Sequence, residues 1–261
     1  MTSQPDKLPS VLDRFRLDGR TAIVTGASSG LGVAFSEALA QAGADVVIAA
    51  RRVDRLEETA KLVEATGRQS LSVQTDVSKP EDCDRLVTAA VDAFGKVDIL
   101  VNNAGIGTVY PATRETPEQF REVIDINLNG TYWMAQACAR VMPRGSSIIN
   151  IGSVIGLTSG GLPQAAYSSS KAALIGLTRD LAQQWTGRKG IRVNTIAPGM
   201  FESEMTDQFP PGFMESQLPR IPIGRIGHQQ ELCAAVVFLA SEAASYITGI
   251  TMPVDGGFLT N

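Results

Sequence analysis

The strongest constraint on this chain is an alternation of short apolar runs with longer stretches of helical periodicity, sustained almost from end to end. Thr21–Thr25, Val46–Ala50, Ser70–Thr75, Val97–Asn102, Ser147–Ile151, Ile191–Ile196 and Thr251–Val254 read as strands. Ala34–Ala42, Asp54–Ala65, Pro80–Phe94, Pro117–Met142, Gln164–Thr186 and Gln229–Ser241 read as helices. Strands separated by helices imply βαβ crossovers, hence a parallel sheet with helices on both faces. Ala22–Val24, Val46–Ile48 and Ile99–Val101 are apolar throughout, as strands covered on both faces should be. The expected fold is α/β, one doubly wound parallel sheet over 18–261 following a polar arm at 1–17. Residues 200–227, rich in Pro, Met and Phe with weak periodicity, are expected to cover a site rather than to build the frame.

Composition narrows the function classes. A chain of 261 residues with 44% hydrophobic content suits one large domain. Its net charge of −4 is dispersed, with no basic block of the kind that binds nucleic acid. The polar start lacks the apolar stretch of a signal peptide, and no run approaches the ~18 apolar residues that span a bilayer. A cytoplasmic protein is expected. Cys83, Cys138 and Cys233 form no Cys-x-x-Cys pair and read as small core residues of a reduced protein. His228 is the sole histidine, which excludes a multi-histidine metal site.

The first strand hands over to the first helix through Thr25-Gly26-Ala27-Ser28-Ser29-Gly30-Leu31-Gly32. Glycines there let the backbone approach a pyrophosphate, while the helix N-terminus offers N–H donors and positive potential. An ordinary structural turn is the plain alternative. A P-loop would need Lys-Ser or Lys-Thr after the last glycine, and neither is present. Gly26-Ala27-Ser28-Ser29-Gly30 also matches the nucleophile elbow of serine hydrolases, with His228 downstream as a base. That elbow should follow several strands, however, and one strand precedes Ser28.

Taken together, Thr25 to Gly32, Asn102-Asn103-Ala104-Gly105, Asn127, Ser153, Tyr167-Ser168-Ser169-Ser170-Lys171 and Pro198-Gly199 resemble the short-chain dehydrogenase/reductase family. The resemblance runs from about Leu17 to Val254-Asp255-Gly256-Gly257, and is nearest to 3-oxoacyl-thioester reductases and polyol or gluconate-type dehydrogenases. It implies a Rossmann-type fold, a homotetramer, and a reaction between a ketone and a secondary alcohol. By resemblance, Ser153 holds the substrate oxygen, Tyr167 is the proton donor, Lys171 tunes it and binds the nicotinamide ribose, and Asn127 holds a water that relays protons to Lys171. Asp76 with Val77 would border adenine, Asn103, Ala104 and Gly105 would pass the adenosine ribose, and Pro198, Gly199 and Met200 would face the nicotinamide. Ser203 stands where the family usually has a threonine that bonds the carboxamide. Ser29 stands where some NADP-preferring relatives carry a basic residue.

The chemistry of the pair also follows from the residues. Tyr167 and Lys171, four apart, share one helix face. A free tyrosine titrates near ~10, so work as a base at neutral pH requires a close cation, which Lys171 can supply. Isolated, the same pair would be an exposed Tyr and Lys on an ordinary helix. The tetramer expectation rests on Trp133, Met134 and Leu181, which spread apolar surface around the two long helices.

Cofactor preference is read at the end of the second strand. An Asp or Glu there would bond both ribose hydroxyls and repel a 2′-phosphate. Ala50 occupies that position, and Arg51 follows with a guanidinium suited to phosphate. NADP is therefore expected over NAD. Arg52 is either a solvated cap of the next helix or a plate against adenine. A dinucleotide sensor that kept the pocket without the chemistry is the second function class, though it would fit better had Tyr167 or Lys171 been lost.

Overall fold

The computed structural model describes residues 10–202 and 212–260. Strands β1 (Thr21–Thr25), β2 (Asp45–Ala50), β3 (Ser70–Gln74), β4 (Ile99–Asn102), β5 (Ser147–Ile151), β6 (Arg192–Pro198) and β7 (Thr251–Val254) form one sheet in the order β3-β2-β1-β4-β5-β6-β7. Every neighbouring pair is parallel. Helices α1 (Gly30–Gln41), α2 (Val53–Ala65), α3 (Pro80–Phe94), α4 (Pro117–Ile124), α5 (Gly130–Val141), α6 (Ala165–Lys189), α7 (Phe213–Gln217) and α8 (Gln229–Ala240) complete the framework.

Successive strand side chains point to opposite faces, so each inner strand feeds two cores. Ala22, Val24, Ile48 and Val101 pack with Phe35 and Leu39 of α1 and with Leu232 and Val236 of α8. Ile23, Val47, Leu100 and Ile148 pack with Leu86 of α3, Met134 of α5 and Leu181 of α6. β1, β4, β5 and β6 are buried throughout, whereas the edge strands β3 and β7 are not. Pro253 sits in β7, an edge, where its missing N–H is tolerated.

Several boundaries move for identifiable reasons. α1 begins at Gly30 rather than Ala34, because glycines carry no side chain from which a period could be read. The long helix expected over Pro117–Met142 is broken. α4 ends at Ile124, residues Asp125–Asn129 make one π-helical turn, and α5 resumes at Gly130. Within that turn the Asn127 carbonyl accepts from the Thr131 hydroxyl at 2.8 Å, and Asn129 bonds Asp125. α6 extends to Lys189, until Gly190 takes a left-handed φ of 71°. Met134 and Leu181 are buried inside the chain, so they offer no surface to a partner subunit. Trp133 packs partly buried beside them, against Tyr132.

Cys83, Cys138 and Cys233 are free and buried. Burial pushes the Cys83 thiol up to about 12 and that of Cys233 to about 11, which leaves them little thiolate character at neutral pH. Among the described residues, no helix is long and apolar enough to cross a membrane, and no cluster of His, Cys, Asp and Glu could hold a metal.

The topology decides where a ligand can bind. From β1 the chain winds outward to β2 and β3, then returns past β1 to continue from β4 on its other side. Beyond the carboxyl ends of β1 and β4 the flanking loops diverge, and such a switch point leaves a crevice.

Candidate active site

A cleft of about 580 Å³ opens at that crevice. Its wall includes Gly26 after β1, Arg51 after β2, Asp76 after β3, Asn103 after β4, Ser153 after β5 and Gly199 after β6. Each strand thus delivers one side of the site.

Glycine makes the floor. Gly26 has φ 67°, and a Cβ there would lie 2.8 Å from Ala104 Cα. A Cβ on Gly32 would collide with the Gly26 carbonyl oxygen. The turn after β1 therefore lies directly on the loop after β4. Thr25 Oγ1 accepts from the backbone N–H groups of Asn103 and Ala104, both at 3.1 Å, and Asn103 Nδ2 donates back to the Thr25 carbonyl at 3.0 Å. Ser29 precedes α1 without a side-chain capping bond, and the first turn holds no acidic residue. The positive end of α1 is thus not offset by its own sequence. Arg52 reaches from β2 across this turn, with Nε 3.3 Å from Ser28 Oγ and Nη2 2.8 Å from Ser29 Oγ. It stands exposed at the N-cap position of α2, as one of the two sequence alternatives had it, and its side chain also ties the two loops together.

At the other end stand the titratable groups. Ser153 caps a 3₁₀ turn, Val154–Gly156, and its Oγ accepts from Ile155 N at 3.2 Å. A Cβ on Gly156 would sit 2.7 Å from the Lys171 carbonyl carbon, so this turn presses against the backbone of α6. That contact sets the Ser153 hydroxyl close enough to the Tyr167 phenol to lower its pKa. The tyrosine packs among Val123, Ala166, Ile106 and Ile155. One turn along α6, Lys171 is buried, and its Nζ donates to the Ile151 carbonyl at 2.8 Å.

The electrostatics differ in part from the sequence expectation. Burial is the largest influence on Tyr167 and raises its pKa, while the nearby Ser153 hydroxyl opposes it. Lys171 Nζ lies 5.7 Å from the ring centroid, alongside the π face, and does not overcome that desolvation. Burial pushes Lys171 itself down to about 8. Tyr167 is therefore a firmly protonated donor at neutral pH.

Asn127, expected with the catalytic groups, lies behind the cleft wall. Its Oδ1 accepts from Ile106 N at 2.8 Å, and its Nδ2 donates to the Ile106 carbonyl at 2.9 Å and to Ser170 Oγ at 3.1 Å. It still faces the lysine across Gly105, where a Cβ would lie 3.2 Å from Asn127 Oδ1 and 3.5 Å from Lys171 Nζ.

Ser28, Ser29, Gly30, Leu31, Arg51, Val77, Ala104, Gly105, Pro198 and Met200 line the cleft. Asp76 lines it too, with its carboxylate taken up by the Ser78 N–H and hydroxyl. Gly32 lies beneath the floor rather than on it. Ser203, Met205 and Phe209 fall outside the described residues. Ser28 accepts from Arg52, and His228 sits at the start of α8, outside the cleft lining, so no serine–base pair forms. Sequence reasoning missed the Ile151 carbonyl, an acceptor that any residue would supply, and Gln164, which lines the cleft just before α6.

A family model described as enoyl-(acyl carrier protein) reductase matches residues 26–259. A 2-dehydro-3-deoxy-D-gluconate 5-dehydrogenase from Dickeya dadantii is 40% identical over 254 residues, covering 95% of this chain and 99% of the relative. This chain is a short-chain dehydrogenase/reductase. A 3-oxoacyl-(acyl-carrier-protein) reductase from Vibrio cholerae is 39% identical, over 92% of this chain and 98% of that protein. Among solved structures, an Agrobacterium tumefaciens family member with bound NADP superposes with a TM-score of 0.86 at 36% identity, covering 95% of this chain and 99% of the other. The protein is accordingly an oxidoreductase of the kind that acts on hydroxyl and keto groups.

The lysine gives a pH signature. Between about pH 8 and its ordinary value of 10.5, the unfolded chain keeps a proton that folded Lys171 has released. Where the unfolded state binds more protons, stability rises with pH. The wild type should therefore gain stability relative to Lys171→Met as pH rises from 8 to 10, measured by urea unfolding. A pH-independent difference between the two would contradict a buried, proton-releasing lysine.

Proposed function

We propose that this enzyme interconverts a ketone and a secondary alcohol with NADP, with Tyr167 as the general acid and base. The observation that carries the reading is the Ser153–Tyr167–Lys171 cluster in a glycine-floored cleft.

The residues fit a dinucleotide. Gly26 and Gly32 let the turn after β1 lie flat on the loop after β4, and the start of α1 would offer N–H groups to a pyrophosphate. At the adenosine end, Ala50 presents no carboxylate, and the Arg52 guanidinium lies against Ser28 and Ser29. The hydroxyls of Ser28 and Ser29 and the guanidinium groups of Arg51 and Arg52 would hold a 2′-phosphate, Arg52 serving where Ser29 offers no basic side chain. Lys171 would hold the nicotinamide ribose, and Pro198 to Met200 would face the ring. Bound there, the cofactor supplies or accepts the hydride at the substrate's carbonyl carbon.

The chain's own residues do the rest. The hydroxyls of Ser153 and Tyr167, both in the cleft lining, would donate to the carbonyl oxygen of a bound substrate. Tyr167, kept protonated by burial, gives its proton to that oxygen in reduction. Lys171 is held by the Ile151 carbonyl and can pass a proton onward, since its pKa of about 8 lies near physiological pH. Asn127 positions the Ile106 backbone beside this path.

An oligomer belongs to the same reading. Phe120 on α4 and Val141 on α5 stand exposed, and these replace Met134 and Leu181 as support for a homotetramer. Light scattering at micromolar concentration should give four subunits, and a monomer would remove this part.

Tyr167→Phe should bind NADPH nearly as well as the wild type while turnover falls by several orders of magnitude. Retention of more than about a tenth of kcat would exclude Tyr167 as proton donor. The wild type should favour NADPH over NADH in kcat/KM, and Ala50→Asp with Arg51→Ala should reverse that order. A charge-assisted bond contributes roughly 1.5–3 kcal/mol, about ten- to hundredfold in affinity. A wild type that prefers NADH would overturn the cofactor assignment.

A further inference from the structure

The cleft is electrically divided. Its charged lining residues at the adenosine end are Arg51, Arg52 and Asp76, and Lys171 stands at its centre. Beyond Tyr167 and Ser153, the described lining is uncharged. Val154, Ile155, Leu162, Met200 and Phe213 make the walls there, and Gln164 is a polar side chain among them.

Nearby cations are already committed elsewhere. The Arg220 guanidinium lies 4.2 Å from the Phe258 ring centroid and donates to the Ser159 carbonyl at 3.2 Å. Arg225 forms a two-point pair with Glu231, at 2.8 and 2.7 Å. Segment 202–211, Glu-Ser-Glu-Met-Thr-Asp-Gln-Phe-Pro-Pro, contains two glutamates, one aspartate and no basic residue. It cannot lend the cleft a cation.

The apolar wall is firmly backed. Val154 packs with Ile221 and Phe258, and Ile155 and Met200 pack against that cluster. Gln164 is likewise fixed, because Tyr110 N donates to the Pro163 carbonyl at 2.9 Å and residues 110 and 164 form a parallel bridge. Its side chain lines the cleft one turn before Tyr167.

From this we infer that the substrate is an uncharged ketone or alcohol whose apolar substituent lies against Val154, Ile155, Leu162 and Phe213, with the Gln164 amide as the polar side chain that orients it. The inference rests on the oxidoreductase reading above and specifies its substrate class. A carboxylate placed on this wall would lose its water and, among the described residues beyond Lys171, meet no cation lining it, a cost that a neutral ester avoids.

The test compares matched pairs that differ in one charge, with NADPH oxidation as the readout. Ethyl acetoacetate is set against acetoacetate, and ethyl benzoylformate against benzoylformate. The esters should show kcat/KM at least about 30-fold above the acids. In Leu162→Arg, the acids should gain at least about tenfold relative to their esters. Gln164→Leu should raise KM for the esters more than it lowers kcat. Acids reduced as well as esters, or better, would overturn this inference and leave the oxidoreductase reading intact. If no ketone oxidises NADPH and no alcohol reduces NADP, the reading itself fails and this inference falls with it.

Discussion

The bond from Lys171 Nζ to the Ile151 carbonyl ties the longest helix to the carboxyl end of β5. Much of the site depends on it. A buried ammonium needs an acceptor, and the last carbonyl of β5 provides one without adding a second charge. With the lysine fixed there, Tyr167 one turn earlier must lie over the turn that follows β5. Gly152 and Gly156 make that closeness possible. A Cβ on the first would lie 2.8 Å from Thr195 Cγ2, and on the second 2.7 Å from the backbone of α6. The closeness of Ser153 to Tyr167 is thus a consequence of how a strand, a 3₁₀ turn and a helix share one small space.

The same low-dielectric setting acts in opposite directions on the two groups. It raises the phenol and lowers the ammonium, so each is pushed toward its neutral form. Tyr167 keeps its proton and Lys171 releases one readily. In reduction, a proton given by the tyrosine can be replaced through the lysine with little change of charge in the cleft. In oxidation, a phenolate must be favoured by something more. A positively charged oxidised nicotinamide would provide it, and Lys171 alone, beside the ring face, does not.

The layers of the fold were legible because both faces of the sheet are covered. Apolar triplets such as Ala22–Val24 and Ile99–Val101 admit few other environments, and the parallel sheet and its cleft follow from them. Side chains named by motif, such as Ser153, Tyr167 and Lys171, also met where expected. What sequence could not show is local and mostly backbone. The π-helical turn at Asp125–Asn129 preserves apolar periodicity on either side, so it hides within an apparently continuous helix. The Ile151 carbonyl has no sequence signature. Met134 and Leu181 looked superfluous to one sheet face until α3, α5 and α6 were seen to bury them together. Arg52 was separated from its role by 24 residues of chain, the distance between it and Ser28.

What separates an enzyme from a binding protein here is direct transfer of hydrogen between cofactor and substrate beside Tyr167. The most direct measurement uses NADPH carrying deuterium at both C4 positions, with a neutral ketone and the intact enzyme in ordinary water. One deuterium is expected on the carbinol carbon of the product and none on its oxygen, with a single enantiomer formed. Product alcohol carrying solvent hydrogen at that carbon, or tight NADPH binding with no transfer to any ketone, would contradict it.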